Sequence, residues 1–261
     1  MTIKIHEYLL HCRENELAAN TIKNYANTLN GLNDWLAGQA LTKESLIEYK
    51  FTLKDSGQYK LTTLNQKITA INIYLNWDHH PELTLKQFRH QSTAHRESIN
   101  QNEYRRLLRY STGELRLLIL TIGNTGLRIS EACGLRKSDL EGRVISVENK
   151  GKTRSVAIPV FVKKQLKKFM AGKDDREIIF GKTQSWYREK LKEVAEPAHV
   201  KKSKVYPHPL RHYFAKQFIS NGGDSTELQQ MLGHASIRTT TIYTHMDPNE
   251  LSDKFREIHN V

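Results

Sequence analysis

Apolar residues recur at steps of three and four through the first 90 positions, the spacing that places them on one face of an α-helix. Polar residues fill the positions between, so each stripe can pack against its neighbours while its other face meets water. Thr42 precedes one stripe and is a predicted N-cap. The four stripes lie around residues 5–12, 22–36, 46–53 and 64–75. They predict a bundle of about four helices with the stripe residues in its core.

The pattern breaks after this bundle. Residues 79–97 contain a proline, scattered polar side chains and little periodicity, which is typical of a linker between domains. Asn100 and Glu103 then have the spacing of a capping box, which predicts the start of another helix. We therefore expect a first domain at residues 1–80, a linker at 81–97 and a second domain at 98–261.

The second domain is predicted to be mixed. Helical periodicity runs to about Gly123 and again from Ile129 to Gly134, and it returns after Pro159. Between these stretches, the β-branched runs at 144–147 and 155–158 flank a polar turn, which predicts a β-hairpin. The predicted fold class is mainly α with one small antiparallel sheet, in which an N-terminal helical bundle precedes an α+β domain.

Charge is distributed unevenly along the chain. The 261 residues include 40 Lys and Arg against 28 Asp and Glu, a net charge of +12. Residues 1–90 contain 10 basic and 9 acidic side chains, so the remaining 30 and 19 lie in the second part. A surplus of this kind serves solubility in many proteins. It also indicates a polyanionic partner, most commonly nucleic acid, bound by the second domain.

Membrane and secretory functions are not indicated. The uncharged stretch Leu117–Leu127 is about half of the roughly 20 residues that a membrane-spanning helix needs. The segment Met1–Leu10 lacks the long apolar core and cleavage site of a secretory signal. Cys12 and Cys133 are too few for a disulfide framework. We expect a cytoplasmic protein with no membrane partner.

Four segments of the basic part combine the residue types that phosphate chemistry uses. One places Arg128 just after a glycine turn, and another places lysines at the hairpin tip. A third has His208 and Arg211 on one helix face, and the last has Tyr243 nine positions after His234. The segments read TGLRISE (125–131), NKGKTR (149–154), HPLRH (208–212) and LGHASIRTTTIYTH (232–245).

Taken in order, these segments resemble the signature boxes of the tyrosine recombinase (phage integrase) family. In addition, NTIKNYANTLNGLNDWL at 20–36 resembles the first-domain helix of two-domain, Xer-like members. The likeness covers nearly the whole chain. It implies a SAM-like helical core-binding domain and a mixed catalytic domain, which clamp duplex DNA from opposite faces.

The residues in the boxes suit covalent DNA cleavage. Tyr243 is the expected nucleophile, since a phenolate can both attack phosphorus and leave again when the strand is rejoined. Arg128 and Arg211 are expected to hold the phosphate, because a guanidinium group is always charged and binds its oxygens bidentately. His234 is expected to donate to the same phosphate.

Proton transfer is assigned to two further residues. The resemblance makes His208 the candidate to accept the tyrosyl proton or to orient the site. Lys150 is expected to protonate the departing 5′-oxygen. The family hairpin usually reads K-G-x-K and this one is a residue shorter, so Lys152 remains an alternative. Glu131 is interpreted as orienting the first arginine box and not as a metal ligand.

Further basic residues are candidate DNA contacts. They are Lys152, Arg154, Lys201, Lys202, Lys204 and Arg238. For Arg154 and Lys204 an ordinary surface or capping position is the competing interpretation. His208 and His212 have the spacing of a metal pair, but no third ligand is evident nearby. Nucleotide and zinc motifs are also lacking, so neither a metal nor a cofactor is predicted.

The leading hypothesis is a site-specific DNA recombinase that acts through a 3′-phosphotyrosine intermediate and a Holliday junction. Its expected partners are double-stranded DNA with a specific site and three further protomers of a homotetramer on two duplexes, with an accessory protein as a further candidate. Leu251, Phe255 and Ile258 predict an amphipathic tail helix that docks on a neighbouring protomer. The alternatives are a catalytically silent DNA-binding regulator and a type IB topoisomerase-like enzyme.

Overall fold

The structure, a computed structural model, describes residues 3–89, 98–142, 144–149 and 152–233. The chain divides into two compact units, Met1–Ala94 and His95–Val261. Each unit has its own cluster of buried apolar side chains. No helix in these described ranges is long and apolar enough to cross a membrane.

The first unit is a bundle of four helices, as the stripes predict. They are α1 (Ile5–Glu14), α2 (Ala19–Leu36), α3 (Lys43–Asp55) and α4 (Leu61–Trp77). Thr42 caps α3 as predicted, since its hydroxyl accepts from the Ser45 N–H at 3.2 Å. Tyr8, Leu29 and Tyr74 are among the largest fully buried side chains, which places the predicted stripes in the core.

An extended strap, residues 84–89, follows the 3₁₀ turn Pro81–Leu83 and packs back on the bundle. Asn72 exchanges two hydrogen bonds with the backbone of Leu85, at 2.7 and 2.8 Å. Asn65 exchanges two with Phe88, at 2.9 and 3.0 Å. Seven residues are about two helical turns, so both amides lie on one face of α4. The first part of the predicted linker is therefore bound to the first unit.

Within the described residues, the regular elements of the second unit are helices apart from one hairpin, so the predicted fold class is confirmed. Its helices are α5 (Gln101–Tyr110), α6 (Gly113–Thr125), α7 (Ile129–Ala132), α8 (Val160–Phe169), α9 (Gln184–Ala195), α10 (Pro207–Ser220) and α11 (Ser225–Leu232). The strands are β1 (Val144–Asn149) and β2 (Lys152–Ala157), which pair antiparallel with Val144 opposite Ala157. The described part of the unit also contains the 3₁₀ turns Lys137–Leu140 and Lys202–Lys204.

Helix α6 is the centre of the second unit. Its side chains are buried on nearly all sides, among them Leu118, Ile119 and Ile122. A helix that is apolar all round is stable only when other elements surround it, and α5, α8, α9 and α10 all pack against α6. Asn100 and Glu103 form the predicted capping box at the start of α5.

Candidate active site

The turn that carries Arg128 is set by a glycine. Gly126 ends α6 with φ +66°, and a Cβ at this position would lie 2.5 Å from a ring carbon of Phe214. Both the backbone conformation and the close packing therefore require glycine. Two residues later, Arg128 precedes α7, and its backbone N–H donates to Glu131 Oε2 at 2.7 Å. The sequence TGLRISE thus folds into a tight turn between two helices.

Three arginines surround the Glu131 carboxylate, whose side chain is 1% exposed. Arg128 Nη1 lies 2.8 Å from Oε1, and Arg154 Nη2 lies 2.7 Å from Oε2. Arg211 Nη1 lies 4.0 Å from Oε2. These residues come from the start of α7, from β2 and from α10, so one carboxylate joins three elements of the unit. We call this set the arginine cluster.

The environment of Glu131 keeps it ionised. Burial raises the pKa of its carboxyl, whereas the Arg128 N–H and the charges of Arg154 and Arg128 lower it by more. The net pKa is below the ordinary glutamate value. An ionised Glu131 agrees with the predicted orienting role, because it binds Arg128 through both its side chain and its backbone.

The same three arginines bind the end of α11. Arg154 Nη1 donates to the carbonyl oxygen of Met231. Arg211 Nη2 donates to that of Leu232 at 2.6 Å, and Arg128 Nη2 reaches that of Gly233 at 3.5 Å. The last carbonyls of a helix have no partner within it and carry partial negative charge. Three consecutive carbonyls are thus each bound by one arginine of the cluster.

Arg211 is the most enclosed of the three, with 2% of its surface exposed. Its Nη1 donates to the carbonyl of Gly126 at 2.7 Å, in the turn that carries Arg128. It comes from the HPLRH segment in the first turns of α10, which begins at Pro207. The sequence-predicted pair Arg128 and Arg211 is therefore brought together around one turn and one carboxylate.

The sequence of this chain matches a known protein family. The phage integrase family matches residues 97–250, more than half of the chain. The chain belongs to the phage integrase family. The resemblance drawn from the four boxes is confirmed, and so is the prediction of a tyrosine-type site-specific recombinase at the level of the family.

Individual relatives agree with this membership. The chain is 28% identical over 269 residues to tyrosine recombinase XerA of Thermococcus onnurineus (strain NA1), covering 95% of this chain and 92% of that protein. It is 26% identical to tyrosine recombinase XerC of Halalkalibacterium halodurans, with coverage of 98% and 96%. The solved Tn1549 transposon integrase in complex with circular intermediate DNA is 18% identical, with coverage of 99% and 100% and a TM-score of 0.78, which shows a shared fold.

Several predicted site residues of this integrase-family chain lie outside the described part of the structure. They are Lys150, His234, Arg238 and Tyr243, together with the side chain of Lys152. Their neighbours are described. Strands β1 and β2 pair up to Asn149 and Lys152, on either side of Lys150. Gly233, the residue before His234, ends α11 beside the arginine cluster.

His208 lies in the first turn of α10 and is exposed. Its ring meets that of His212 edge-on, with centroids 4.3 Å apart. In the described part of the chain, no three His, Cys, Asp or Glu side chains are grouped so that they could hold a metal ion. Tyr187 and Tyr213 are buried, and burial raises the pKa of both hydroxyls.

The candidate DNA contacts differ in their surroundings. Lys201 and Lys202 are exposed, and Lys202 Nζ lies 2.8 Å from Glu196. Lys204 is mostly enclosed, with a side chain 16% exposed and its Nζ 3.2 Å from Glu103. The surface interpretation of Lys204 was wrong, because Glu103 at the start of α5 draws the ammonium group inward.

Arg154 is not a surface residue, but it does bind the end of a helix, as the capping interpretation allowed. Its side chain is 11% exposed and lies between Glu131 and the end of α11. Sequence reasoning missed this role because the partners are 23 and 77 residues away along the chain. The one available signal was the β-strand alternation, which places Arg154 on the same face as Val156, a buried residue.

Proposed function

We propose that this protein cuts and rejoins DNA at a specific site through a covalent 3′-phosphotyrosine, with Tyr243 as the nucleophile, and that exchange passes through a Holliday junction. The observation that carries the proposal is the arginine cluster at the end of α11, one residue before His234. Two arginines predicted from separate boxes converge there. Membership of the phage integrase family supports the same reaction.

The substrate follows from the charge. The second part of the chain holds most of the net charge of +12, and duplex DNA is a dense polyanion. The Tn1549 integrase, which shares the fold, was solved with DNA bound. We propose that the two units of this chain clamp a duplex, with the helical bundle on one face and the catalytic unit on the other.

The phosphate would be held by Arg128 and Arg211. Arg128 has a side chain about one-third exposed (34%), so an incoming phosphate can reach its guanidinium group. Arg211 is buried and adds a fixed positive charge directly behind the Gly126 turn. Charges that are already in place cost no rearrangement when negative charge develops on the non-bridging oxygens. His234 would donate a further hydrogen bond to the same phosphate.

Proton transfer completes the proposed cycle. The phenol oxygen of Tyr243 forms a bond to phosphorus as the bond to the 5′-oxygen breaks. His208, exposed at the start of α10, would accept the tyrosyl proton or orient the site. A hairpin lysine, Lys150 with Lys152 as the alternative, would give its proton to the departing 5′-oxygen. Rejoining reverses these steps, so no external energy source is needed.

Assembly is proposed to use the tail after Tyr243. A cleft between α6, α10 and α11 is lined by Phe218 among polar side chains that include Asn124, Gln217 and Glu227, so its surface is mixed. We propose that the tail stripe of a neighbouring protomer binds there in a cyclic homotetramer, to which an accessory protein could add. Truncation after His245 should then abolish strand exchange. Full exchange by the truncated protein would rule out this docking.

The test of the central proposal uses a nicked suicide substrate, which traps the covalent complex. The wild-type protein should form a conjugate that survives denaturation, whereas Tyr243→Phe should bind the same DNA with a similar Kd and form none. A wild-type protein that binds the site and never forms a conjugate would instead be a silent regulator. Conjugates and relaxation without exchange between two marked duplexes would indicate a topoisomerase-like enzyme.

A further inference from the structure

Arg154 connects the hairpin to the rest of the arginine cluster through a rigid fork. One guanidinium nitrogen lies 2.7 Å from Glu131 Oε2, and the other donates to the Met231 carbonyl. It stands on β2, opposite Val147 on β1 and four positions after Lys150. A single planar group therefore joins the strand that leaves the hairpin tip to α7 and to α11.

The fit around this side chain is close. Gly233 has φ +62°, and a Cβ there would lie 2.6 Å from Arg154 Cδ and 3.1 Å from Nε. The aliphatic part of Arg154 therefore occupies the space beside Gly233. Arg154 Nε is buried and has no hydrogen-bond partner among the described residues. The close contact with Gly233 limits where the side chain can lie, and the unpaired Nε adds to the cost of burying it there.

The placement is costly in free energy, which points to a purpose beyond packing. A buried guanidinium group loses hydration that one carboxylate recovers only in part. Arg128 also repels it, since both arginines bind the same carboxylate. Well-packed apolar side chains could join the hairpin to α11 at no such cost. The advantage of an arginine is geometric, because its planar guanidinium group fixes the angle between β2 and α11 as well as the distance between them.

We propose that Arg154 is a positioning residue for strand cleavage, which holds the hairpin so that its lysine reaches the departing 5′-oxygen. This inference rests on the proposed function, in which a hairpin lysine is the general acid. Arg154 itself would not touch the DNA, because its nitrogens face Glu131 and α11. Its loss should slow the step that needs the lysine proton and leave phosphate binding in place.

The test compares two substrates. In the first the leaving group is the normal 5′-oxygen, and in the second a sulfur atom replaces it, which leaves as a thiolate without needing a proton because a thiol has a pKa of about 8.5. For Arg154→Met we expect cleavage of the oxygen substrate to fall about 100-fold, the loss that a misplacement of about 1 Å can cause. Cleavage of the sulfur substrate should stay within about tenfold of wild type, with Kd for DNA unchanged.

Two further variants make the result specific. Arg116→Met removes another half-buried guanidinium group, which donates to Gln165 at 3.1 Å between α6 and α8, and should cleave both substrates normally. Arg154→Lys keeps a charge near Glu131 but cannot bind both partners as a fork. It should show the same selective loss of cleavage on the oxygen substrate, and it replaces Arg154→Met in the test if that variant does not fold.

The outcomes separate this inference from the proposed function. Rescue of Lys150→Ala by sulfur, with no rescue of either Arg154 variant, would overturn the positioning role alone. Rescue of Lys152→Ala instead would move the acid along the same hairpin, and Arg154 would be judged against that lysine. If the sulfur substrate rescued neither lysine variant, the proposal that a hairpin lysine is the general acid would be wrong. In the double variant of Arg154→Met and Lys150→Ala, the losses should not add, because both act on one proton transfer.

Discussion

The side chain of Arg154 fills the space that a side chain on Gly233 would need. A Cβ on Gly233 would stand 2.6 Å from Arg154 Cδ, a distance that real Cβ atoms essentially never show. Gly233 also has φ +62°, in the left-handed region that favours glycine. Two independent requirements thus meet at the residue before His234.

Gly233→Ala should therefore destabilise the protein and slow DNA cleavage. The left-handed conformation alone costs about 1–2 kcal/mol for a residue with a Cβ, and the contact with Arg154 adds to it. Gly172→Ala is the matched control, since Gly172 has φ +76° but nothing within 4 Å of its Cβ position. Urea unfolding should show a larger loss for Gly233→Ala. Equal losses for the two variants would mean that the Arg154 side chain moves away from the new methyl group at no cost in stability.

Glu131→Gln should be among the most destabilising single substitutions in the second unit. The amide keeps the shape of the side chain but leaves the guanidinium groups of the cluster without their anion. Removing one partner of a buried ion pair costs about 3–5 kcal/mol. Equilibrium unfolding near neutral pH measures this loss, and Glu141→Gln is the control because Glu141 pairs with Lys167 on the surface.

The contribution of Glu131 should also depend on pH. Its pKa in the folded protein is lower than the ordinary 4.5, so folding favours the ionised form. The resulting stability is fully present above pH 4.5 and is lost as pH falls through the lower folded pKa. The difference in unfolding free energy between wild type and Glu131→Gln should thus shrink on acidification below pH 4.5. A difference that stays constant from pH 7 to pH 3 would contradict this assignment.

Asn72 should control how tightly the strap is bound. Asn72→Ala removes two hydrogen bonds to the Leu85 backbone and leaves the Leu85 N–H without its acceptor. An unpaired group of this kind costs about 1–3 kcal/mol. Amide hydrogen exchange at Leu85 should accelerate accordingly, whereas Asn76→Ala, at an exposed position of α4, should leave it unchanged. Unchanged exchange in Asn72→Ala would mean that apolar packing alone holds the strap.

Lys202 and Lys204 should affect DNA binding in different ways. Each phosphate contact contributes about 0.9 to the slope of log K against log salt concentration. Lys202→Ala should therefore reduce this slope by about 0.9, because its side chain is 61% exposed. Lys204→Ala should lower stability and leave the slope nearly unchanged, since its ammonium group binds Glu103. A matching reduction in both variants would place Lys204 on the DNA as well.

Local features could be predicted from the sequence. The caps at Thr42 and Asn100 depend only on residues three positions away, and the hairpin depends on a turn between two β-branched runs. Helical periodicity likewise located all four helices of the first unit. Each of these features is determined by residues that are near one another in the sequence, so the sequence pattern is sufficient to predict it.

The arginine cluster could be predicted only in part. The boxes identified Arg128 and Arg211 singly, but their shared carboxylate depends on how α7 and α10 meet. Arg154 resembled a surface residue because nothing near it in the sequence indicates that β2 packs against the end of α11. The strap was not predicted for a similar reason. The amides of Asn65 and Asn72 bind backbone atoms, and because every residue has the same backbone groups, the sequence contains no signal for such contacts.

The composition of the arginine cluster has an energetic consequence. Arg128 and Arg211, which would hold the phosphate, bring two positive charges, while Arg154 offsets the negative charge of Glu131, so these four groups sum to +2. A phosphodiester in its resting state has a single negative charge, whereas attack by a phenolate creates a five-coordinate phosphorus species with two. The charges of the cluster and the phosphorus group therefore cancel in the transition state and not in the ground state. A catalyst gains rate only from interactions that are stronger in the transition state than in the ground state.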